Sequence, residues 1–75
     1  MLYRLRRKVI FRIYNKENAT INCDKNSILL LVHTFNKKTY WSDDEVFFYV
    51  FYLDGFLIEY YEDFEFDYYL EKLND

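Results

Sequence analysis

The sequence predicts an α+β fold, in which a small antiparallel sheet of five to six strands, connected as a meander, is covered by one C-terminal helix. Three observations lead to this prediction: alternating side chains in the first half of the chain, an Asp-Gly pair between two aromatic segments, and helical apolar spacing near the C-terminus. A chain of 75 residues encloses a single hydrophobic core, so we expect one domain that comprises residues 1–75.

The first predicted strand comprises residues 3–14, where odd positions are mostly apolar and even positions are mostly basic. This period of two places the basic side chains on one face of a long strand. That basic face consists of Arg4, Arg6, Lys8 and Arg12. Polar residues 15–18 form a turn, and the alternation resumes over residues 19–24 as a second strand.

The third predicted strand is nearly continuous in apolar side chains over residues 27–35. Such a run is typical of a central strand whose two faces are both covered. Residues 36–38 are polar and basic, and a short fourth strand is predicted at residues 39–41.

The next segment supports two interpretations. A Ser-Asp-Asp-Glu sequence at 42–45 matches a capping box and predicts a helix that ends at Gly55. Alternatively, Asp54 and Gly55 form a two-residue hairpin turn, which pairs Phe51 with Ile58 on one face of two strands. The hairpin is favoured because β-branched and aromatic side chains lose rotamer freedom in a helix.

The C-terminal segment changes to an apolar spacing of i, i+3, i+4 and i+7, which predicts a helix over about residues 63–73. The apolar residues with this spacing are Phe66, Tyr69, Leu70 and Leu73. Asp63, Asp67 and Glu71 would then lie one turn apart on a neighbouring face of that helix. Because the alternation also continues from residue 56 to residue 70, an extended conformation remains the alternative.

The two halves of the chain carry opposite charge. Residues 1–38 contain nine basic and two acidic side chains, whereas residues 39–75 contain one basic and eleven acidic ones. Aromatic residues also concentrate in the acidic half, and fourteen of the eighteen lie between Tyr40 and Tyr69. Since a core this small cannot enclose every ring, we expect some rings to lie beside carboxylates on the surface.

Carboxylates next to exposed rings suit a basic protein partner, because rings provide rigid contact area and carboxylates accept bidentate hydrogen bonds from arginine. Like charges one helical turn apart also destabilise a helix, so a purely structural helix would intersperse both signs. We therefore predict a partner-binding surface formed by Glu59, Glu62, Asp63, Phe64, Glu65, Asp67, Tyr68 and Glu71.

Few side chains offer enzymatic chemistry. Cys23 and His33 are the one conceivable nucleophile pair, but both fall in predicted strands without an orienting group, as a core cysteine and a strand histidine do. The chain lacks a Gly-rich phosphate loop and the spacings of redox and zinc motifs, and its acidic segment lacks the calcium-loop pattern. We therefore expect no enzymatic activity, no cofactor and no metal.

The sequence predicts a soluble protein of the cytoplasm. A single cysteine excludes an internal disulfide, which in so small a chain indicates a reducing compartment. No apolar run is long enough to span a membrane, and Arg12 interrupts the apolar residues that a signal peptide would need.

Residues 59–69, with the sequence EYYEDFEFDYY, combine carboxylates and rings in a chain that contains a single Gly. In this composition the segment resembles those of small phage-encoded inhibitors, such as anti-CRISPR proteins and other DNA mimics. The resemblance implies a protein that docks its carboxylates on a basic, nucleic-acid-binding surface of a host protein in the host cytoplasm. The basic first strand departs from a uniformly acidic mimic.

Two other functions stay open. In the first, a homodimer or larger homo-oligomer forms when the basic strand of one copy meets the acidic half of another. In the second, the basic strand binds single-stranded nucleic acid, and aromatic side chains stack on the bases. The net charge of −3 disfavours nucleic acid as the partner, because the acidic half repels a polyanion.

Overall fold

The computed structural model describes residues 1–73, which form one curled antiparallel sheet with the shape of a half-barrel. Its strands are β1 (Leu2–Leu5), β2 (Val9–Ile13), β3 (Thr20–Cys23), β4 (Ile28–Lys38), β5 (Glu45–Leu53), β6 (Phe56–Tyr61) and β7 (Leu70–Lys72). A single helical turn, α1 (Phe66–Tyr69), precedes β7. The spatial order is β3-β2-β6-β5-β4-β1-β7, so the terminal strands β1 and β7 are neighbours at one edge.

The predicted α+β meander with a covering helix is therefore wrong. The helix expected over residues 63–73 is reduced to the four residues of α1, and Leu70 is extended, with φ −122° and ψ 132°. From there the chain continues as β7, which pairs antiparallel with β1. This pairing satisfies backbone groups of β1 that would otherwise form an open sheet edge, which a surface helix cannot do.

The predicted hairpin of β5 and β6 is confirmed, and the helical interpretation of the same residues is wrong. Phe51 pairs with Ile58, and both side chains are fully buried. The turn residues Asp54 and Gly55 have φ values of 49° and 89°. Positive φ at both central positions is what a two-residue type I′ turn needs, and Asp-Gly provides it at low cost.

The single long strand predicted over residues 3–14 is divided into β1 and β2. Residues 6–8 link the two strands, and three other strands separate them in the sheet. The link is held by the amide of Arg6, which donates to the carbonyl oxygen of Tyr69 (2.8 Å). Side-chain alternation alone could not reveal this break, because no Gly or Pro marks it.

The core lies on the inner face of the half-barrel. Its buried members are Tyr3, Leu5, Val9, Phe11, Cys23, Leu29, Phe51, Ile58, Phe66 and Leu70. Residues 62–69 cross this face between β6 and β7, and the ring of Phe66 lies 4.6 Å from that of Tyr49 and 5.9 Å from that of Tyr60. The crossing segment closes the core that a full helix was expected to cover.

The outer face of the sheet carries a second, smaller aromatic cluster. A β-bulge between Leu31 and His33 moves the odd-numbered residues of β4 from the inner to the outer face, where Phe35 stacks on Phe48 (5.1 Å). Because Leu30 remains exposed on this face, the prediction that residues 27–35 are covered on both faces is wrong.

Residues 39–44, predicted to include a short strand, instead form a loop, and its Trp41 contacts Tyr61 of β6. Within residues 1–73, no helix has the length and apolar character needed to cross a bilayer.

Candidate functional site

The strand β4 is the longest of the sheet, and acidic residues lie near the end at which it stops. At its last residue, Lys38 pairs with Glu45 at the start of β5, and β6 ends beside the same point. The amide of Glu62 donates to the carbonyl oxygen of Phe47 (2.8 Å), which brings the residues after β6 next to the β4–β5 loop. Two acidic segments that are distant in sequence therefore meet at one end of the sheet.

We call this region the acidic end. It comprises the carboxylates of Asp43, Asp44, Glu45, Glu62 and Asp63 and the rings of Tyr40, Trp41 and Phe64. Phe64 is 93% exposed and Tyr40 is 98% exposed. Rings in this position can be buried only by another molecule, and burial of such rings contributes much of the energy of protein interfaces.

Two carboxylates of the acidic end are oriented by neutral donors. The hydroxyl of Tyr49 donates to Oε1 of Glu62 (3.1 Å), and the amide of Glu65 donates to Oδ1 of Asp63 (2.9 Å). Lys38 lies opposite Glu45 in the sheet, but the salt bridge found within residues 1–73 involves neither of them. Within residues 1–73, no carboxylate of the acidic end forms a salt bridge, although Arg12, Lys37 and Lys38 line a depression together with Tyr40 and Trp41.

Two tyrosines beneath the acidic end have raised pKa values. Burial, followed by the hydrogen bond and the charge of Glu62, raises the pKa of Tyr49 to about 12. The pKa of Tyr60 is also raised, first by burial and then by the carboxylate of Asp63. The carboxylates of Glu62 and Asp63 therefore lie close enough to these hydroxyls to disfavour the phenolate forms.

The predicted partner-binding surface is divided by the fold. Residues 62–65 stay together at the acidic end, where Phe64 is the most exposed member. Glu59 lies on the outer face of β6, directly opposite Arg12 of β2. The structure therefore brings together the centre of the predicted surface and separates Glu59 from it.

The remaining predicted residues contact arginines, although Tyr68 also lines a depression together with Phe64 and Glu65. Oε1 of Glu71 accepts hydrogen bonds from Nη2 (2.6 Å) and Nε (3.1 Å) of Arg4. Chiefly through these bonds, Arg4 lowers the pKa of Glu71 below its ordinary value. The carbonyl oxygen of Asp67 accepts a hydrogen bond from Nε of Arg6, and the ring of Tyr68 lies beneath the guanidinium of Arg7.

The predicted basic face is divided as well. Arg4 and Arg6 lie together at the end of β1, Lys8 lies in the β1–β2 link, and Arg12 lies on the outer face of β2. One long basic ribbon does not form, because the chain reverses its course after β1.

Sequence reasoning missed the part of the acidic end that precedes β5. Asp43, Asp44 and Glu45 stayed outside the predicted site because they are distant in sequence from residues 62–65. The predicted hairpin could have indicated them, because extension of the Phe51–Ile58 register places residue 45 opposite residue 64.

Cys23 and His33 do not form a pair. Cys23 is buried in the inner-face core, where burial and then the charge of Asp24 raise the pKa of its thiol. His33 is exposed on the outer face and stacks on Phe35 (5.9 Å). In the described part of the chain, no three His, Cys, Asp or Glu side chains are grouped closely enough to hold a metal ion.

Comparisons with protein-family models, with curated proteins and with solved structures gave no match.

Proposed function

We propose that this chain is a non-enzymatic binding protein that docks its acidic end onto a basic surface of a partner protein. The observation that supports this most is the ring of Phe64, which is 93% exposed between the carboxylates of Glu62, Asp63 and Glu65. An exposed apolar ring whose sequence neighbours are carboxylates suits a partner that offers arginines around an apolar recess.

The partner's arginines would pair with carboxylates that form no salt bridge within residues 1–73. Each carboxylate can accept two parallel N–H bonds from a guanidinium, a geometry that lysine cannot reproduce. The carboxylates also attract a basic surface before contact, which raises the association rate and makes binding sensitive to salt.

An inhibitory role follows where the partner's basic surface handles nucleic acid. Carboxylates placed on such a surface occupy the positions that phosphates would take, so the docked protein and the nucleic acid compete. The compositional resemblance of residues 59–69 to phage-encoded inhibitors supports this proposal. In the folded chain, residues 62–65 of that segment and the added carboxylates of residues 43–45 would perform the mimicry.

An immobilised arginine- and glycine-rich peptide tests the docking surface directly. The unmodified protein is expected to bind at low salt and to release at high salt. A triple variant with Asp43→Asn, Asp44→Asn and Phe64→Ala is expected to lose at least about tenfold in affinity, because two charges and the anchor are removed. Phe56→Ala is the control for the loss of an exposed ring, since Phe56 is also exposed but lies at the opposite end of β6.

Equal affinity of the triple variant and the Phe56→Ala control would contradict the proposal, as would binding that does not weaken with salt. Sedimentation of the purified protein separates the homo-oligomeric alternative. A salt-sensitive dimer that the triple variant disrupts would show that the surface meets a second copy rather than a different protein.

A further inference from the structure

A group of basic side chains surrounds an open depression at the end of the sheet opposite to the acidic end. The depression has a volume of about 480 Å³ and lies where β1 ends and β4 begins. Its cationic residues are Arg4, Arg6, Arg7 and Lys25. Glu71 is the one acidic residue that lines it, and its carboxylate already accepts two hydrogen bonds from Arg4. We call this region the basic depression.

The backbone fixes the walls of the basic depression. The amide of Leu5 donates to the carbonyl oxygen of Ser27 (3.0 Å), and the amide of Asn26 donates to the carbonyl oxygen of Leu5 (2.8 Å). These bonds hold the β3–β4 turn, which carries Lys25, against the end of β1. Lys25 and the three arginines therefore come from two chain segments that are tied together.

Contacts with the C-terminal segment hold the three guanidinium groups. Nε of Arg6 donates to the carbonyl oxygen of Asp67 (2.8 Å), and the guanidinium of Arg7 lies 3.9 Å above the ring of Tyr68. Arg4 is held by its salt bridge. Each guanidinium has five N–H donors, so these contacts leave several donors free on every arginine. The side chains are positioned before a ligand arrives, which lowers the entropic cost of binding.

We propose that the basic depression binds a phosphate group. Four cations against one paired carboxylate leave a local excess of positive charge. A tetrahedral phosphate accepts hydrogen bonds in several directions at once, which matches guanidinium groups that converge from different chain positions. A single carboxylate would be satisfied by one arginine. This site is independent of the acidic end and uses none of its residues.

Titration of the labelled full-length protein with inorganic pyrophosphate, followed by NMR, tests the site. The expected result is a saturable shift of the amides of residues 4–7 and 25–26. Lys25→Glu is expected to weaken binding at least about tenfold, because it reverses a charge within the depression. Lys25 is exposed, so this variant keeps the fold, and the NMR spectrum of the free variant verifies that.

Lys16→Glu is the matched control, since it makes the same charge change in the β2–β3 turn, at the other end of β2. Arg7→Gln is a second variant, and it should weaken binding while it leaves the salt bridge of Arg4 in place. A parallel titration with a single-stranded oligonucleotide identifies the source of the phosphate. Tighter binding of the oligonucleotide at the same amides indicates a nucleic-acid backbone, and tighter binding of pyrophosphate indicates a small phosphate compound.

Two results would overturn the proposal. One is the absence of saturable shifts at these amides with both probes. The other is an equal loss of affinity in the Lys25→Glu and Lys16→Glu variants, because it would show that phosphate responds to overall charge and not to this depression.

Discussion

The acidic end and the basic depression differ in how much of their charge the molecule itself uses. In the basic depression, every arginine contacts the C-terminal segment: Arg4 contacts Glu71, Arg6 contacts Asp67, and Arg7 contacts Tyr68. At the acidic end, the carboxylates of Glu62 and Asp63 accept hydrogen bonds from a hydroxyl and an amide, and the neighbouring rings face solvent. Intramolecular pairing of the two halves thus organises the cations and leaves most of the anions available.

The segment 62–69 connects the two regions. It belongs to the acidic end at residues 62–64, passes over the core at Phe66 and contacts Arg6 of the basic depression through the carbonyl oxygen of Asp67. Its buried ring fixes its position, and its exposed residues supply contacts at both ends. We therefore expect a substitution in either region to change the stability of the fold according to its contacts with this segment.

The largest change in stability is expected when the buried ring of the connecting segment 62–69 is removed. Phe66→Ala removes a buried ring from the core and should lower the free energy of unfolding by about 3–5 kcal/mol. Chemical denaturation measures this. Phe64→Ala, two residues away in the same segment, should change it by less than about 0.5 kcal/mol, because the Phe64 ring contributes almost nothing to the core.

A similar decrease in the free energy of unfolding for Phe66→Ala and Phe64→Ala would contradict the assignment of one buried and one exposed ring. A loss at Phe64 alone would mean that residues 62–69 present the opposite face to the core.

A smaller effect is expected from single charges in the two regions. Arg6→Ala should cost about 1 kcal/mol, because it removes a hydrogen bond from a charged donor to the carbonyl oxygen of Asp67 on the surface. Asp43→Asn should change the free energy of unfolding by less than about 0.5 kcal/mol or increase it slightly, since it relieves repulsion between like charges. Thermal and chemical unfolding of both variants would distinguish them. If Asp43→Asn destabilised the protein as much as Arg6→Ala, the charges of both regions would contribute equally to stability, which would contradict the account.

The Arg4–Glu71 pair should give the basic region a pH dependence. The pKa of folded Glu71 is lowered, mainly by the hydrogen bonds from Arg4, from its ordinary value of 4.5. The stabilisation is then complete above pH 4.5 and is lost as the pH falls through the lower, folded value. Glu71→Gln should therefore lower Tm at neutral pH, and its difference from the unmodified protein should shrink on acidification below pH 4.5. A difference in Tm that stays constant with pH would contradict the ion pair.

The smallest effect concerns a hydroxyl beneath the acidic end. Glu62→Gln should lower the pKa of Tyr49, which is raised to about 12, because the variant removes the carboxylate that favours the protonated phenol. The pKa should stay above its ordinary value, since burial is the larger cause. Absorbance titration of the tyrosines measures it. An unchanged pKa would mean that Glu62 does not hold the Tyr49 hydroxyl.

Local signals in the sequence predicted those parts of the fold that depend on neighbouring residues. The β5–β6 hairpin and its register followed from Asp54, Gly55 and the alternation around them, because a two-residue turn fixes both. The helix expected over residues 63–73 failed because β7 exists only through pairing with β1, almost the whole chain away. The break after β1 was also invisible, since distant strands determine it.

The candidate site was predicted to the extent that it is contiguous in sequence. Residues 62–65 stay together on the surface. Glu71 instead forms a salt bridge with Arg4, because β7 pairs with β1, which the sequence did not predict. Residues 43–45 joined the site through the hairpin, so a correct register was enough to find them. Long-range pairing, more than composition, decides which charges stay available.

The most direct test of this separation of charge is an NMR titration of one labelled sample with an arginine-rich peptide and, separately, with pyrophosphate. The peptide is expected to shift the amides of residues 43–45 and 62–64, and pyrophosphate those of residues 4–7 and 25–26, with no common residues. Shifts by both ligands at one shared set of residues, or peptide shifts spread evenly over the acidic half, would contradict two separate and opposite surfaces.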